Sequence, residues 1–345
     1  MTPPRLPARI AALPKAELHL HLEGSIQPAT VCALTAQHGV ELTEAEVRSR
    51  YSYPDFLGFI DAFKWVTSFL REPRDYALIA RDLAEHLLTQ SVVYAEVTLS
   101  VGVMLLRKQR PEANFEAILQ ATEPFEKRGL RLNWIFDAVR QFGPEPAMEV
   151  VNVAKRCASG KIVAFGIGGD ELSVATQEFR PVYEGAAANG LHLLMHAGEV
   201  GGPEKIREAI ELLRVERIGH GIAAAQDPAL MDLLADRRIP LEVCPQSNLC
   251  TGALTKHWRA IPGSSDALPP TIEQHPLPRL LRHGIPVVLS TDDPAMFHTT
   301  LLAEYENAAR MGLTETELLQ LAQMSFDHAF LPAAQKLALR NSSHA

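Results

Sequence analysis

The histidines His19 and His21 stand one residue apart in a short apolar segment that we predict to be a β-strand. Side chains two positions apart on a strand point to the same face, so both imidazoles would project together. On a buried face, adjacent imidazoles need polar partners, and one metal ion can satisfy both. Alone, this spacing indicates little, because many such pairs are simply hydrogen-bonded or exposed.

Polar residues of metal-binding type also end three later segments that we predict to be strands. One ends with His196 and Glu199, another with His220, and the last with Asp292 and Asp293. Several imidazoles combined with a carboxylate suit Zn²⁺. A catalytic zinc site also keeps a position open for water, whose pKa the ion brings to about 7. The sequence therefore predicts hydrolytic chemistry at a zinc site.

Two of these residues are placed to do more than bind metal. Glu199 lies three residues beyond His196, where it could transfer protons during attack on a neutral ring or carbonyl carbon. His220 could be a fourth imidazole ligand, or it could orient the attacking hydroxide. Spacing does not separate these two roles.

Short apolar, β-branched segments recur along the chain and alternate with amphipathic helical segments such as 112–128, 204–214 and 227–237. The predicted strands are 16–23, 92–99, 130–139, 162–168, 192–198, 215–221, 240–246 and 285–292. This alternation predicts an α/β fold, a (β/α)₈ TIM barrel. A doubly wound sheet is disfavoured because no G-x-G-x-x-G follows the first strand. In a barrel all the strand ends named above open at one mouth, so their polar side chains would converge.

We treat residues 1–345 as a single domain with extra helices over the mouth of the barrel. A helical insertion at about 45–90 contains the segment 56–70, whose apolar residues have helical spacing. That helix is either an ordinary core-facing helix or a lid over the mouth. The second long segment, 249–284, is predicted to be a mouth loop followed by a helix at 276–283.

One metal is expected rather than two. Binuclear barrels usually bridge their metals with a modified lysine inside the fourth strand, whereas here Lys161 precedes that strand. Among the remaining polar residues, Glu96 could pair with a cation on a neighbouring strand or could line the pocket. His257 and His275 have no partner pattern, so we expect them at the surface or at caps, although His257 could touch the substrate from a mouth loop.

The composition excludes several classes of protein. The 345 residues are 47% hydrophobic and 21% charged, with a formal net charge of -8, which argues against a disordered chain and against a broadly basic nucleic-acid binder. No uncharged apolar run approaches the ~18 residues of a membrane span, and no N-terminal segment is typical of a signal peptide. Four scattered cysteines suggest no disulfide framework. We therefore expect a cytoplasmic protein; no pattern indicates its oligomeric state.

Five motifs together resemble the adenosine deaminase family, in the family's order and across nearly the whole chain. They are PKAELHLHLEGS (14–25), HAGE (196–199), RIGHG (217–221), CPQSNLCTGAL (244–254) and STDDPAMF (290–297). The resemblance implies a hydrolytic enzyme that converts a 6-aminopurine and water to the 6-oxopurine and ammonia, with one zinc ion per chain.

The resemblance also implies a role for each site residue. The zinc ligands would be His19, His21, His196 and Asp292. Glu199 would protonate purine N1 as hydroxide attacks C6, and His220 would position that hydroxide. Substrate contacts would come from Asp293 to N7, from the Gly169 N–H to N3, and from Glu23 with His21 to the ribose.

The match departs from typical adenosine deaminases at Glu23, where the family usually has Asp. The version H-L-H-L-E-G is also seen in adenine deaminases, whereas RIGHG and TGAL are of the nucleoside type. This mixture indicates a 6-aminopurine nucleoside, adenosine or a 5′-modified relative such as aminodeoxyfutalosine. The alternatives are an adenine deaminase, a mononuclear zinc amidohydrolase that acts on a non-purine amide, and a non-enzymatic barrel with a structural zinc.

Overall fold

The structure is a computed structural model that describes residues 6–53, 56–264 and 269–341. Within these ranges the chain forms one eight-stranded parallel sheet in which each strand pairs with the next along the chain. The strands are β1 Lys15–His21, β2 Val92–Leu99, β3 Arg131–Val139, β4 Ile162–Gly168, β5 His192–Ala197, β6 Arg217–His220, β7 Leu241–Val243 and β8 Val287–Leu289.

The sheet closes into a barrel between its last and first strands. Leu20 and Asp292 form a parallel bridge. The His21 N–H donates to the Asp292 carbonyl at 2.8 Å, and the Asp292 N–H donates to the His19 carbonyl at 3.0 Å. The predicted (β/α)₈ barrel is therefore confirmed, and its closure lies at the predicted metal site.

Helices surround the barrel, and many begin at a proline, which costs no hydrogen bond at the first helical position. Their bounds are α1 Ala8–Ala12, α2 Pro28–Gln37, α3 Glu44–Arg50, α4 Phe56–Thr67, α5 Pro73–Leu88, α6 Val101–Leu106, α7 Pro111–Glu126, α8 Pro144–Cys157, α9 Arg180–Ala188, α10 Pro203–Leu213, α11 Pro228–Asp236, α12 Pro245–Cys250, α13 Ala253–Trp258, α14 Leu277–Arg282, α15 Leu301–Arg310, α16 Glu315–Asp327 and α17 Ala333–Arg340. None of these described helices is long and apolar enough to span a bilayer.

The last three strands are shorter than predicted because the backbone turns sharply at their carboxyl ends. His220 and Asp292 have φ angles of 60° and 66°, in the left-handed region that cannot continue a strand ladder. After β7, Pro245 begins α12 at once. These turns direct side chains into the mouth of the barrel instead of extending the strands.

The helix predicted at 56–70 lies at this mouth and ends earlier, at Thr67. Its residues Phe59, Ile60 and Phe63 line the cavity above the strand ends. The position fits a lid, but movement of the insertion stays a prediction. Residues 54 and 55 of the insertion and 265–268 of the second long segment lie outside the described ranges.

A buried ion network fills part of the barrel interior. The Arg217 guanidinium on β6 pairs with Glu96 on β2 at 2.6 Å and with Glu242 on β7 at 2.5 Å. The ring of Phe330 covers this guanidinium at 3.8 Å. Glu96 therefore pairs with a cation, as the first of its two predicted roles required, but the cation comes from β6 across the barrel and not from a neighbouring strand. Removing one of these partners would leave another charge buried without compensation, which is strongly destabilising.

Candidate active site

Four predicted ligands meet at the mouth of the barrel. His19 and His21 come from β1, His196 from β5 and Asp292 from the turn after β8, and their ligand atoms all lie within 4.8 Å of one another. The Asp292 Oδ1 atom lies 3.3 Å from His21 Nε2 and 3.5 Å from His19 Nε2. Residues far apart in the chain are thus gathered around one point.

Hydrogen bonds outside the cluster orient its imidazoles. His19 Nδ1 donates to Glu242 Oε2 at 2.7 Å, and His196 Nδ1 donates to the Ile167 carbonyl at 3.3 Å. Each bond places the proton on Nδ1 and leaves Nε2 with a free lone pair. This tautomer is the one that a metal-ligating histidine needs.

The hydrogen bonding of the cluster's own polar atoms indicates a metal ion. His19 Nε2 is buried and has no hydrogen-bond partner in the described part of the chain. Such an atom is costly to bury alone, and a cation beside it removes the cost. Ser247 holds Asp292 by donating to its Oδ2 at 2.6 Å, which leaves Oδ1 facing the imidazoles. These donors match a site of three nitrogens and one oxygen.

A second group consists of Glu199, His220 and Asp292. His220 Nε2 lies 3.5 Å from Glu199 Oε2 and 3.9 Å from Asp292 Oδ2. A single water molecule could therefore contact His220 and both carboxyl groups at once.

The tautomer of His220 follows from a chain of hydrogen bonds that starts at the backbone. The Leu277 N–H donates to His275 Nδ1 at 3.1 Å, so the proton of neutral His275 is on Nε2, which donates to Asn248 Oδ1 at 3.2 Å. The Asn248 amide nitrogen then donates to His220 Nδ1 at 3.0 Å. Burial lowers the pKa of His220 to about 3, so the ring is neutral with its proton on Nε2. A protonated Nε2 favours orienting a water or hydroxide over binding metal.

The loop that carries Glu199 is held from both sides. The Glu171 carboxylate accepts the N–H groups of Gly198 at 2.5 Å and Gly201 at 2.6 Å. His257 Nε2 donates to the Glu199 carbonyl at 2.8 Å. Burial, followed by the charges of Asp292 and Glu171, raises the pKa of Glu199 well above its usual value. Glu199 is thus a fixed, protonatable carboxyl group.

The expectation of a surface position for His257 and His275 is wrong, whereas the alternative of a capping position holds for His275, which ends the short helical turn Ile272–Gln274. Both are buried, and each holds a part of the site through the bonds described above. Their partners come from distant parts of the chain, so no local pattern could reveal them.

The predicted substrate residues occupy one wall of the cavity or lie close behind it. Asp293 is buried and its Oδ1 lacks a hydrogen-bond partner among the described residues. Gly169 has φ +96° and lines the cavity. Glu23 is buried and accepts the Ser100 N–H at 3.1 Å, but it is not among the cavity-lining residues. Its contact with a ribose stays a prediction.

A cavity of about 440 Å³ opens from the metal cluster toward α4 and α6. Its far wall is mainly apolar, with two cations at its edge. The residues of this wall are Phe59, Ile60, Phe63, Lys64, Val103, Leu106 and Arg107. The size suits a ligand larger than a single purine base.

Sequence reasoning missed Asp137, which also lines the cavity, and Glu242, which orients His19. Both are polar residues within predicted strands, and the same signal identified the other candidates. Glu242 stands between Leu241 and Val243, and Asp137 stands close to the carboxyl end of β3. The signal that could have identified Asp137 and Glu242 is a charged residue within a strand that is otherwise apolar.

Barrel, cluster and cavity together define a metal-dependent hydrolase. A family model described as adenosine deaminase matches residues 14–344. The aminodeoxyfutalosine deaminase of Streptomyces coelicolor is 40% identical over 97% of this chain and 84% of its own. The adenine deaminase of Chelativorans sp. is 32% identical over 94% of this chain and 96% of its own.

A solved structure gives the same result. The adenine deaminase of Arthrobacter aurescens superimposes with a TM-score of 0.86 at 29% identity, over 96% of this chain and 98% of that chain. The chain belongs to the adenosine deaminase family, as the five motifs predicted. It is therefore a deaminase, a hydrolase that acts on C–N bonds, and its family depends on metal.

Proposed function

We propose that this protein is a zinc-dependent, cytoplasmic deaminase of a 6-aminopurine nucleoside that carries a 5′ substituent, with aminodeoxyfutalosine as the first candidate. The observation that carries the proposal is the meeting of Glu199, His220 and Asp292 beside the four-ligand cluster. Three imidazoles and one carboxylate are a ligand set that zinc accepts.

In the proposed reaction, His19, His21, His196 and Asp292 would hold one zinc ion. When bound, a divalent ion at this position supplies a nucleophile at neutral pH by acidifying a water molecule. His220 Nε2–H and the Asp292 carboxylate orient that water toward C6 of the purine ring.

Glu199 carries the proton steps, and Asp293 supplies a hydrogen bond to the ring. The protonated Glu199 carboxyl group donates to N1 as the C6–O bond forms, which prevents charge from building up on the ring. Burial, followed by the charge of Asp292, raises the pKa of Asp293, so this group donates its proton in a hydrogen bond to N7. Of the two protons of the attacking water, one returns Glu199 to its acid form and the other joins the amino group, so the C6–N bond breaks and ammonia leaves.

The far wall of the cavity favours a nucleoside with a 5′ substituent. Its phenylalanine and aliphatic side chains suit an apolar group, whereas Lys64 and Arg107 at its edge suit an acidic one. Arg107 donates to the Thr67 carbonyl and hydroxyl, and neither cation pairs with a carboxylate within the described ranges. Relatives named aminodeoxyfutalosine deaminase, at 35–40% identity, support this choice of substrate.

Adenine deaminase is the second candidate. It is favoured by Glu23, whose place in H-L-H-L-E-G is shared with that branch, and by relatives of that name at 32% identity. A free base would leave most of the 440 Å³ cavity unfilled. For this reason we rank the nucleoside first.

The test is ammonia release by the zinc-loaded protein from a panel of substrates. The panel contains adenine, adenosine, deoxyadenosine, 5′-substituted adenosines and aminodeoxyfutalosine. We expect the highest kcat/KM for a 5′-substituted nucleoside, and Arg107→Met should lower kcat/KM for acidic substituents more than for adenosine. Activity on adenine alone would overturn the proposal in favour of the second candidate.

Two variants test the chemistry itself. Glu199→Gln should abolish turnover while zinc is retained, which a barrel with a purely structural zinc would not require. Asp293→Ala should remove most deaminase activity. Hydrolysis of a non-purine amide that survives Asp293→Ala, without activity on any purine, would favour the zinc amidohydrolase alternative.

A further inference from the structure

Asp137, near the carboxyl end of β3, is a buried acid in the cavity wall that the proposed chemistry does not use. Its Oδ1 atom has no hydrogen-bond partner among the residues that the structure describes. Oδ1 is itself buried beside Gly166, so the oxygen through which Asp137 can meet a ligand in the cavity is Oδ2, and a carboxyl oxygen on a cavity wall is an acceptor for a ligand hydroxyl.

The neighbouring strand leaves space for this carboxyl group. A Cβ atom at Gly166 would lie 3.1 Å from Asp137 Oδ1, and one at Gly168 would lie 3.4 Å from Oδ2. A Cβ at Gly168 would also lie 3.2 Å from His196 Cε1. Glycines at both positions on β4 therefore let Asp137 stand directly beside the metal cluster.

A second buried acid lies in the same region. Glu23 Oε2, like Asp137 Oδ1, has no partner within the described ranges, although Glu23 Oε1 accepts the Ser100 N–H. An acid in the cavity wall, with a second buried acid behind it, suits a ligand that offers hydroxyl groups rather than an anion.

The order of the strands relates Asp137 to the expected ligand. Gly169 follows β4 directly, and the proposed orientation places purine N3 against it. In a purine nucleoside the sugar is attached at N9, beside N3. The sugar would therefore extend from Gly169 toward β3, where Asp137 lies, and on toward Glu23 after β1.

We propose that Asp137 binds a ribose hydroxyl group and thereby makes the site select a nucleoside over the free base. This inference rests on the proposed function and deepens it. Asp137 is a binding residue for the sugar and takes no part in the proton steps at the ring.

The test compares Asp137→Asn and Asp137→Ala with the wild-type protein on adenosine, 2′-deoxyadenosine, 3′-deoxyadenosine and adenine. Removing the acceptor leaves a buried sugar hydroxyl without a partner, which costs about 1–3 kcal/mol, so kcat/KM for the nucleoside should fall about 5–100-fold in Asp137→Ala. The loss should vanish for the deoxynucleoside that lacks the contacted hydroxyl. Activity on adenine, where it is measurable, should change less than threefold.

The matched control is Asp170→Asn, which removes an exposed carboxylate at the same rim but outside the cavity. It should leave every kcat/KM unchanged. Zinc content and Tm are measured for each variant to verify that it is folded and loaded with metal. If Asp137→Ala does not fold, the kinetic comparison is made with Asp137→Asn.

Three outcomes would overturn the inference. In the first, a folded, zinc-loaded Asp137 variant keeps nucleoside kcat/KM within threefold of wild type. In the second, the variants lose the same factor on all nucleosides, including both deoxynucleosides. In the third, the wild-type protein deaminates no nucleoside, which defeats the proposed function as well and so separates the two failures.

Discussion

Two carboxyl groups near the metal cluster, Glu242 and Glu199, have different partners, and their pKa values are therefore shifted in opposite directions. Burial alone would raise the pKa of Glu242, but the charge of Arg217 and the hydrogen bonds of His19 and Arg217 lower it. Glu199 pairs with no arginine or lysine in the described part of the chain, and burial followed by the charge of Asp292 raises its pKa. The ionised group therefore suits holding a ligand in place, and the protonated group suits carrying a proton.

Glu242→Gln tests the role of the ionised carboxylate that holds His19 in place. The amide can still accept the His19 N–H but loses the negative charge that makes His19 a stronger ligand, so we expect metal affinity to fall about 10–100-fold. The measurement is competition for zinc against a chelator of known affinity. Glu96→Gln is the control, because Glu96 pairs with the same Arg217 without touching His19. Equal metal affinity in the two variants would contradict the role of Glu242.

At the level of single residues, the sequence predicts which side chains cluster at the mouth better than it predicts the groups that orient them. His19 and His21 share a face because strands alternate, and Asp292 ends a strand, so simple geometry brings them together. Glu242 and His275 act through partners hundreds or tens of residues away. Only the closed barrel shows which distant residues those are.

Among the structural elements, the turns after the strands matter more for the site than the strands themselves. Strand existence and order follow from apolar periodicity, and all eight predicted strands are present. Their ends do not follow from periodicity, because His220 and Asp292 adopt left-handed φ angles that tertiary contacts impose. The bridge between Leu20 and Asp292 is such a contact. These turns give the functional side chains their directions.

The turn after β1 packs against the turn after β8, and Gly24 makes this possible. A Cβ atom at Gly24 would lie 1.6 Å from Asp293 Oδ1, so Gly24→Ala must displace that carboxyl group. Displacing a substrate contact by about 1 Å costs on the order of 100-fold. We expect kcat/KM to fall by about that factor while zinc content is unchanged.

Gly160→Ala is the control for this variant, because a Cβ there would meet nothing within 4 Å. The readouts are steady-state kinetics, zinc stoichiometry and Tm. If Gly24→Ala keeps activity within threefold of Gly160→Ala, the close approach of Gly24 to Asp293 does not control the reaction.

On the scale of the whole molecule, the metal cluster joins the first and last strands of the barrel. Its ligands come from β1, β5 and the turn after β8, and β8 meets β1 where the sheet closes. A ligand that binds only the folded state stabilises it by about 4 kcal/mol at 1,000 times its Kd. Removing the metal should therefore lower Tm by several degrees, and restoring zinc should reverse the loss.

Differential scanning fluorimetry across a series of free zinc concentrations measures this effect. His196→Ala removes one ligand and should make Tm much less sensitive to zinc. An unchanged Tm after complete chelation of the wild-type protein would show that the ion does not stabilise the closed barrel.

A buried acid beneath the site gives the molecule a dependence of stability on pH. Glu304, on α15, accepts the Thr299 hydroxyl at 2.6 Å and the Gln246 N–H at 3.3 Å, next to the helix α12 that holds Asp292 through Ser247. Burial raises the pKa of Glu304 from 4.5 to about 7 despite these bonds. Since the folded state disfavours ionisation, the stability from this group is complete below about pH 4.5 and is lost as pH rises through about 7.

Glu304→Gln isolates this contribution, because glutamine has nearly the same volume and does not ionise. Other titrating groups are common to both proteins, so they cancel in the difference between their Tm values. We expect the Tm of wild type minus that of the variant to decrease steadily from about pH 4.5 to about pH 8, as measured by calorimetry in buffers of equal ionic strength. A difference that is constant or that increases over this range would mean that Glu304 is already ionised in the folded protein at pH 4.5.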